Sequence, residues 1–314
     1  MTTRCKPVAL WLCAAMLLLA GCRRTDERKL VFIIVPSQDN PFFKAEADAA
    51  ADRAEKLGYR ARVDSHEDDA YRQDNLVDAA IASNASALIL DNAGADSSVA
   101  AVRRAASAGI PVFLIDREIA VAGIAKAQII ADNDQGARLV AGEFARLLGK
   151  QGEYAELLGR ESDTNAQIRT KGFHAILDAI PALKRVAAQS ANWSQAEAFQ
   201  KTETMLQAHG SINGIITGND TMALGAVAAV ASAGLKNIQI VGFDGSPDAI
   251  AAIRAGDLQA TALQPAVYIA KLAVDEADRF LKTGTTGQTE RQIIPCDLVT
   301  RENANDYGNF EKLR

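Results

Sequence analysis

Two stretches about two hundred residues apart decide how this chain of 314 residues folds. The first is Lys29-Leu30-Val31-Phe32-Ile33-Ile34-Val35-Pro36, running on into Ser37-Gln38-Asp39-Asn40-Pro41-Phe42-Phe43. The second is Ile238-Gln239-Ile240-Val241-Gly242-Phe243-Asp244-Gly245. Each is an apolar run that stops abruptly at polar and aromatic residues. An apolar run of this length reads as a strand buried on both faces of a parallel sheet. Ligands of such sheets bind beyond the carboxyl ends of the strands. The residues found there are acidic, amide and aromatic, which suits a neutral, hydroxyl-rich ligand better than a phosphate or a hydride.

Outward from these runs, strand-like and helix-like segments alternate. Leu30 to Val35 is followed by a helical segment from Phe43 to Leu57, which Gly58 stops in the left-handed position. Strands at Arg60 to Asp64, Ala87 to Leu90, Pro111 to Ile115 and Ala127 to Ala131 are interleaved with helices at Gln73 to Ser83 and Ser97 to Ala108. From Asp134 the pattern starts again and runs to a long helix at Ala266 to Leu281. Alternation of this kind predicts an α/β fold with parallel sheets flanked by helices. Two runs of it predict two doubly wound parallel-sheet lobes joined by a hinge. No Pro- or Ser-rich linker separates them, so the chain is expected to cross at short segments near Ala131-Asp132, Gln264-Pro265 and Pro295-Cys296. The expected lobes are 30–131 plus 265–295 and 132–264 plus 296–314.

The amino terminus reads as an export signal. Arg4 and Lys6 precede an apolar stretch from Val8 to Ala20. That stretch is too short for a membrane span of roughly 20 residues and fits a signal peptide over 1–21. It ends in Leu19-Ala20-Gly21-Cys22, which resembles the lipobox of bacterial lipoproteins. Cys22 is therefore the expected lipidation site, with 22–29 as a short charged tether; an ordinary signal peptide with a chance cysteine is the alternative. Removal of Cys5 and Cys13 and lipidation of Cys22 leave only Cys296, expected as a buried small apolar residue, so the fold rests on its core and not on a disulfide.

The composition is 48% hydrophobic and 23% charged, with a formal net charge of -5. That balance gives no general attraction for nucleic acid or an anionic membrane. No glycine-rich turn follows the first strand, no Walker-type phosphate loop is present, and no G-x-S-x-G elbow occurs. The three histidines, His66, His174 and His209, lack metal-ligand spacing. The expectation is a protein that is not an enzyme, with no cofactor and no metal.

Candidate ligand contacts lie where strands end. Asn40, Phe42 and Phe43 follow the first strand, Asp91 ends the third, and Asp116-Arg117 the fourth. In the second half they are Arg169, Trp193, Asn219, Asp244 and Gln264. A carboxylate accepts two hydroxyl protons, a guanidinium donates in a planar fork, and aromatic rings cover apolar C–H faces. This is the chemistry of a sugar or polyol site. Each residue also has a plainer reading. Asp91 can be a helix N-cap, Asp116-Arg117 a surface pair, Asn219 a capping turn residue, and the aromatic residues core.

Taken together, these residues resemble the periplasmic sugar-binding proteins of ABC transporters, ribose-binding type, over about Lys29 to Asp297. The motifs are Asn40-Pro41-Phe42-Phe43, Leu57-Gly58-Tyr59, Ile110-Pro111-Val112 with Asp116-Arg117, Asp132-Asn133, Arg169 before Gly172-Phe173, Asn219-Asp220-Thr221-Met222-Ala223-Leu224-Gly225, and Val241-Gly242-Phe243-Asp244-Gly245. The resemblance implies a type I periplasmic binding protein fold, a ligand clamped between lobes, and delivery to an ABC transporter permease. Carried over by motif, Asn40, Asp116, Arg117, Arg169, Asn219, Asp244 and Gln264 bond the ligand hydroxyls, and Phe42 or Phe43 and Trp193 sandwich it. Asp91 and Trp193 stand where ribose receptors carry an amide and a phenylalanine, so another pentose, a hexose or an open-chain polyol is expected rather than ribose. The implied protein is a monosaccharide or polyol receptor, lipid-anchored in the periplasm or at the cell surface, monomeric and without a nucleic-acid partner. Rival readings are an exported sensor serving a chemoreceptor or kinase, the effector domain of a lactose-repressor-type regulator, and an enzyme on the same scaffold.

Overall fold

The computed structural model describes residues 28–313. The expected signal peptide, Cys22 and most of the tether lie outside the described residues. No helix among the described residues is long and apolar enough to cross a membrane.

The first half runs β1 (Leu30–Val35), α1 (Pro41–Lys56), β2 (Arg60–Ser65), α2 (Ala70–Ala82), β3 (Ala87–Leu90), α3 (Val99–Ser107), β4 (Val112–Ile115) and β5 (Ala127–Ala131). All six residues of β1 are buried, and each large aliphatic or aromatic side chain so buried contributes about 1.5–3 kcal/mol. Local chemistry starts α1: the Asn40 side chain accepts from the Phe42 amide at 3.0 Å, and Pro41 supplies a preset φ at the first helical position. Gly58, at φ +89°, follows its end.

The second half repeats the plan with α4 (Asn133–Leu147), β6 (Gly152–Leu158), α5 (Thr164–Leu177), β7 (Leu183–Ser190), α6 (Gln195–Ala208), β8 (Ile212–Thr217), α7 (Asp220–Ser232), β9 (Gln239–Asp244), α8 (Pro247–Ala255) and β10 (Ala260–Leu263). The chain then returns through α9 (Ala266–Thr283), which packs on α1. Tyr59 donates to Asp278 at 2.9 Å and pins that pair of helices together.

Two six-stranded sheets result. Their orders are β11-β5-β4-β3-β1-β2 and β12-β10-β9-β8-β6-β7, where β11 is Arg291–Ile294 and β12 is Asp297–Thr300. Leaving aside β11 and β12, both have the same doubly wound order, which reverses beside β1 in one and β6 in the other. The crevice at such a reversal is where ligands bind. Every pairing in the two sheets is parallel except β10 with β12.

The crossings between halves lie side by side. The Asp132 amide donates to Ile294 O at 2.7 Å, and Gln135 holds the backbone of Cys296 through both its amide groups, at 2.9 and 3.0 Å. Cys296 is 3% exposed, and burial pushes its thiol up to about 12. The strands β11 and β12 were not anticipated. Both are four-residue edge strands with polar residues, and β11 alternates exposed and half-buried positions. No apolar run marks them. A short hairpin of β13 (Tyr307–Gly308) and β14 (Glu311–Lys312) follows.

Candidate ligand-binding site

Between the carboxyl ends of the two sheets lies a cavity with about 260 Å³ of space free of protein atoms. Eleven residues were expected at the site from the sequence, and ten of them line it: Asn40, Phe42, Phe43, Asp116, Arg117, Arg169, Trp193, Asn219, Asp244 and Gln264. The eleventh, Asp91, is not among the lining residues. It is fully buried behind Arg117, with a carboxylate oxygen 3.6 Å from Nε, so its place is against the guanidinium and not on the cavity. Nor is Asp91 a helix cap, because Ser98 holds that position for α3.

The amides of Asn40 and Asn219 serve two purposes. Each side-chain oxygen caps a helix, accepting from Phe42 N at 3.0 Å and Met222 N at 2.9 Å. The NH2 group remains as a donor on the cavity wall. Phe42 and Phe43 are both buried and meet edge to face at 5.6 Å. Trp193, 8% exposed, faces them from the other half.

Three of the lining residues hold backbone conformations that side chains other than glycine rarely adopt. The φ values are +58° at Asp116, +66° at Trp193 and +118° at Asp244. Such conformations cost about 1–3 kcal/mol each and persist where the surroundings impose them, often at functional sites. Here they turn two carboxylates and an indole into the cavity at the ends of β4, β7 and β9.

Two guanidiniums organise the charge. Arg169 donates to Asn133 Oδ1 at 2.8 Å, Gly218 O at 2.8 Å and Asp244 Oδ1 at 3.2 Å, and it lies over the Phe243 ring at 4.0 Å. Gln264 adds a bond to the same Asp244 oxygen at 2.8 Å. Arg117 lies over Phe43 at 5.0 Å and pairs with Asp68 at 2.9 Å and Asp163 at 3.0 Å. Burial pulls its pKa down, but Asp163, Asp91, Asp68 and Asp116 more than offset this and hold it well above its ordinary value. Among the acids, burial raises Asp116 to about 6 against the pull of Arg117, and raises Asp244 well above the usual range against Arg169.

One buried atom of the lining, Gln264 Oε1, has no hydrogen-bond partner in the protein. It is an acceptor. A ligand hydroxyl donates to it and accepts from the NH2 groups of Asn40 and Asn219, which suits the cavity to a polyhydroxylated ligand.

Sequence reasoning missed Asp163 and Asn165, which also line the cavity. Asn165 donates to Asp116 Oδ1 at 3.1 Å and accepts from Asn133 at 3.2 Å, so a chain of side chains bridges the two halves from Asp116 to Arg169. Their only local signal was a loop ending in an N-cap, Asp163-Thr164-Asn165, which is the ordinary start of a helix. Among the described residues no group of three or more His, Cys, Asp or Glu side chains is placed to hold a metal.

Comparison with known proteins agrees with this geometry. Residues 31–286 match the family described as periplasmic binding protein domain. The D-apiose import binding protein of Paraburkholderia graminis is 53% identical over 95% of this chain and 95% of that one. The ribose import binding protein of Haemophilus influenzae is 32% identical over 91% of this chain and 95% of its own. Among solved structures, an ABC transporter periplasmic solute binding protein from Actinobacillus succinogenes with bound D-allose superposes with a TM-score of 0.84 at 28% identity, covering 89% of this chain and all of that one. The two sheets wound in one order, the cavity between their carboxyl ends and the matched span of sequence have one explanation: the chain belongs to the periplasmic binding protein family.

Proposed function

We propose that this chain is the D-apiose receptor of an ABC importer. It is a substrate-binding protein that encloses a sugar between two lobes, 30–131 plus 265–295 and 132–264 plus 296–314, and hands it to a membrane permease. The observation that carries the ligand class is the unpartnered acceptor Gln264 Oε1 beside the amide donors of Asn40 and Asn219, on one small cavity walled by Phe42, Phe43 and Trp193. Ligand hydroxyls bond Asn40, Asp116, Arg117, Arg169, Asn219, Asp244 and Gln264, and the aromatic rings cover the carbon faces. D-apiose as the particular sugar is supported by the name of the 53% identical relative. Its branched carbon skeleton closes only a five-membered ring, a compact shape that suits a small cavity.

The protein acts in the periplasm or outside the cell, as its family implies. Leu19-Ala20-Gly21-Cys22 supports export as a lipoprotein, with Cys22 carrying the anchor. A thermal-shift series with D-apiose, D-ribose, D-allose and myo-inositol at millimolar concentration tests the reading. A micromolar ligand at that level stabilises by roughly 4 kcal/mol, a melting shift on the order of 10 °C. D-apiose is expected to give the largest shift. A flat response to all four from protein shown by mass spectrometry to carry no copurified sugar would refute the reading. A larger shift with another sugar would reassign the ligand.

A further inference from the structure

We infer that Asp163 is a positioning residue which couples closure of the cleft to the placement of Trp193. This rests on the sugar-receptor reading above and names a residue outside the expected ligand set. Asp163 is 5% exposed and stands at the end of the loop after β6. Its Oδ1 caps α5 by accepting from Asn165 N at 2.9 Å. Its Oδ2 does two things at once: it accepts from the indole Nε1 of Trp193 at 3.1 Å, and it lies 3.0 Å from Arg117 Nε of the opposite lobe.

The partners differ in what happens on opening. Trp193 follows β7, a neighbour of β6 in the same sheet, so the indole bond lies within one lobe. Arg117 follows β4 of the other sheet, so the ion pair exists only when the lobes meet. Arg117 keeps Asp68, Asp91 and Asp116 within 3.7 Å without Asp163, so the guanidinium stays compensated in either state. Asp163 is therefore the member of the cluster that senses closure, and the indole it holds is a wall of the ligand cavity. A second cross-cleft pair, Arg160 with Asp68 at 3.3 Å, lies at the same edge.

The test uses the full chain in mild detergent with Trp11→Phe, which leaves Trp193 as the single tryptophan. Into it go Asp163→Ser and Asp163→Asn, both good helix caps that lack the charge. Without sugar, acrylamide quenching of Trp193 is expected to rise about twofold in both variants as its buried bond weakens. With D-apiose in stopped flow, dissociation is expected to speed up about tenfold or more, with association within about threefold of the parent. Unchanged quenching in both variants would overturn the inference, as would a loss of affinity confined to the association rate. If the parent fails to bind D-apiose, the ligand assignment falls, while quenching of the sugar-free proteins still decides the role of Asp163.

Discussion

Gly159 follows β6, directly beneath the indole of Trp193. A Cβ built on it falls within the ring, against Cη2, Cζ2 and Cζ3. Ordinary carbon–carbon contact is about 3.5–4.0 Å, so Gly159→Ala has to move the indole by roughly 1.5 Å. The ring has to move away from Gly159. A shift of that size takes the 3.1 Å bond from Nε1 to Asp163 out of range, at a cost of about 1 kcal/mol. Loss of the flat aromatic contact with the sugar adds roughly 0.5–1.5 kcal/mol. The indole bond lies within one half of the protein, so its loss falls on stability, and the lost aromatic contact predicts binding weaker by about 1 kcal/mol, or roughly fivefold in Kd. Overpacking costs a further 1–3 kcal/mol or so of stability. Titration calorimetry with the sugar that the parent binds, beside thermal melting, measures both. Gly142→Ala is the control: it lies on the exposed face of α4 with open space around its Cβ and is expected to gain about 0.5–1 kcal/mol with Kd unchanged. If Gly159→Ala bound the sugar within twofold of the parent, Trp193 would not be a wall of the ligand site.

Two more predictions concern the supports of the site. Phe310, from the hairpin β13–β14, is 1% exposed and meets Phe42 edge to face at 5.5 Å. Phe310→Ala is expected to cost about 3–5 kcal/mol in urea unfolding and to weaken sugar binding through the loosened Phe42; unchanged affinity at the lowered stability would show that Phe42 is held without it. Asp220 accepts from Thr261 at 2.7 Å and Ser246 N at 2.6 Å, yet burial raises it to about 7. The unfolded chain therefore releases this proton first, so its contribution is full below the unfolded value of about 4 and is lost as pH rises through 7. His66, lowered to about 4 by burial, acts in the opposite sense below its unfolded value, so the informative quantity is a difference between proteins. The stability of Asp220→Asn relative to the parent should rise between pH 4 and pH 7 in denaturant titrations; a flat difference would mean that Asp220 ionises normally.

What could be read from the chain alone follows from where the information is local. The apolar runs at Leu30–Val35 and Gln239–Asp244, and the glycines that stop helices, mark parallel strands and helix ends within a few residues. The order of strands and helices then leaves a doubly wound arrangement, and the strand ends point to Asn40, Arg169 and Asp244. The edge strands β11 and β12 were hidden because four polar-containing residues become strands only when a neighbouring strand offers its backbone.

The same limit applied within the site. Asp91 and Asp116 both end strands in the first sheet, but only the packing of Arg117 decides that Asp116 faces the cavity and Asp91 stands behind it. Asp163 and Asn165 carry no signal beyond a helix cap. They reach the cavity because the tertiary structure brings the start of α5 against Asp116 and Arg117, residues about fifty positions earlier in the chain. Patterns of burial and turning are written in neighbouring residues, and so the sequence determined the strands, the helices and most of the cavity wall. Which charges face one another across the cleft depends on distances between segments remote in the chain, and only the tertiary structure decides those.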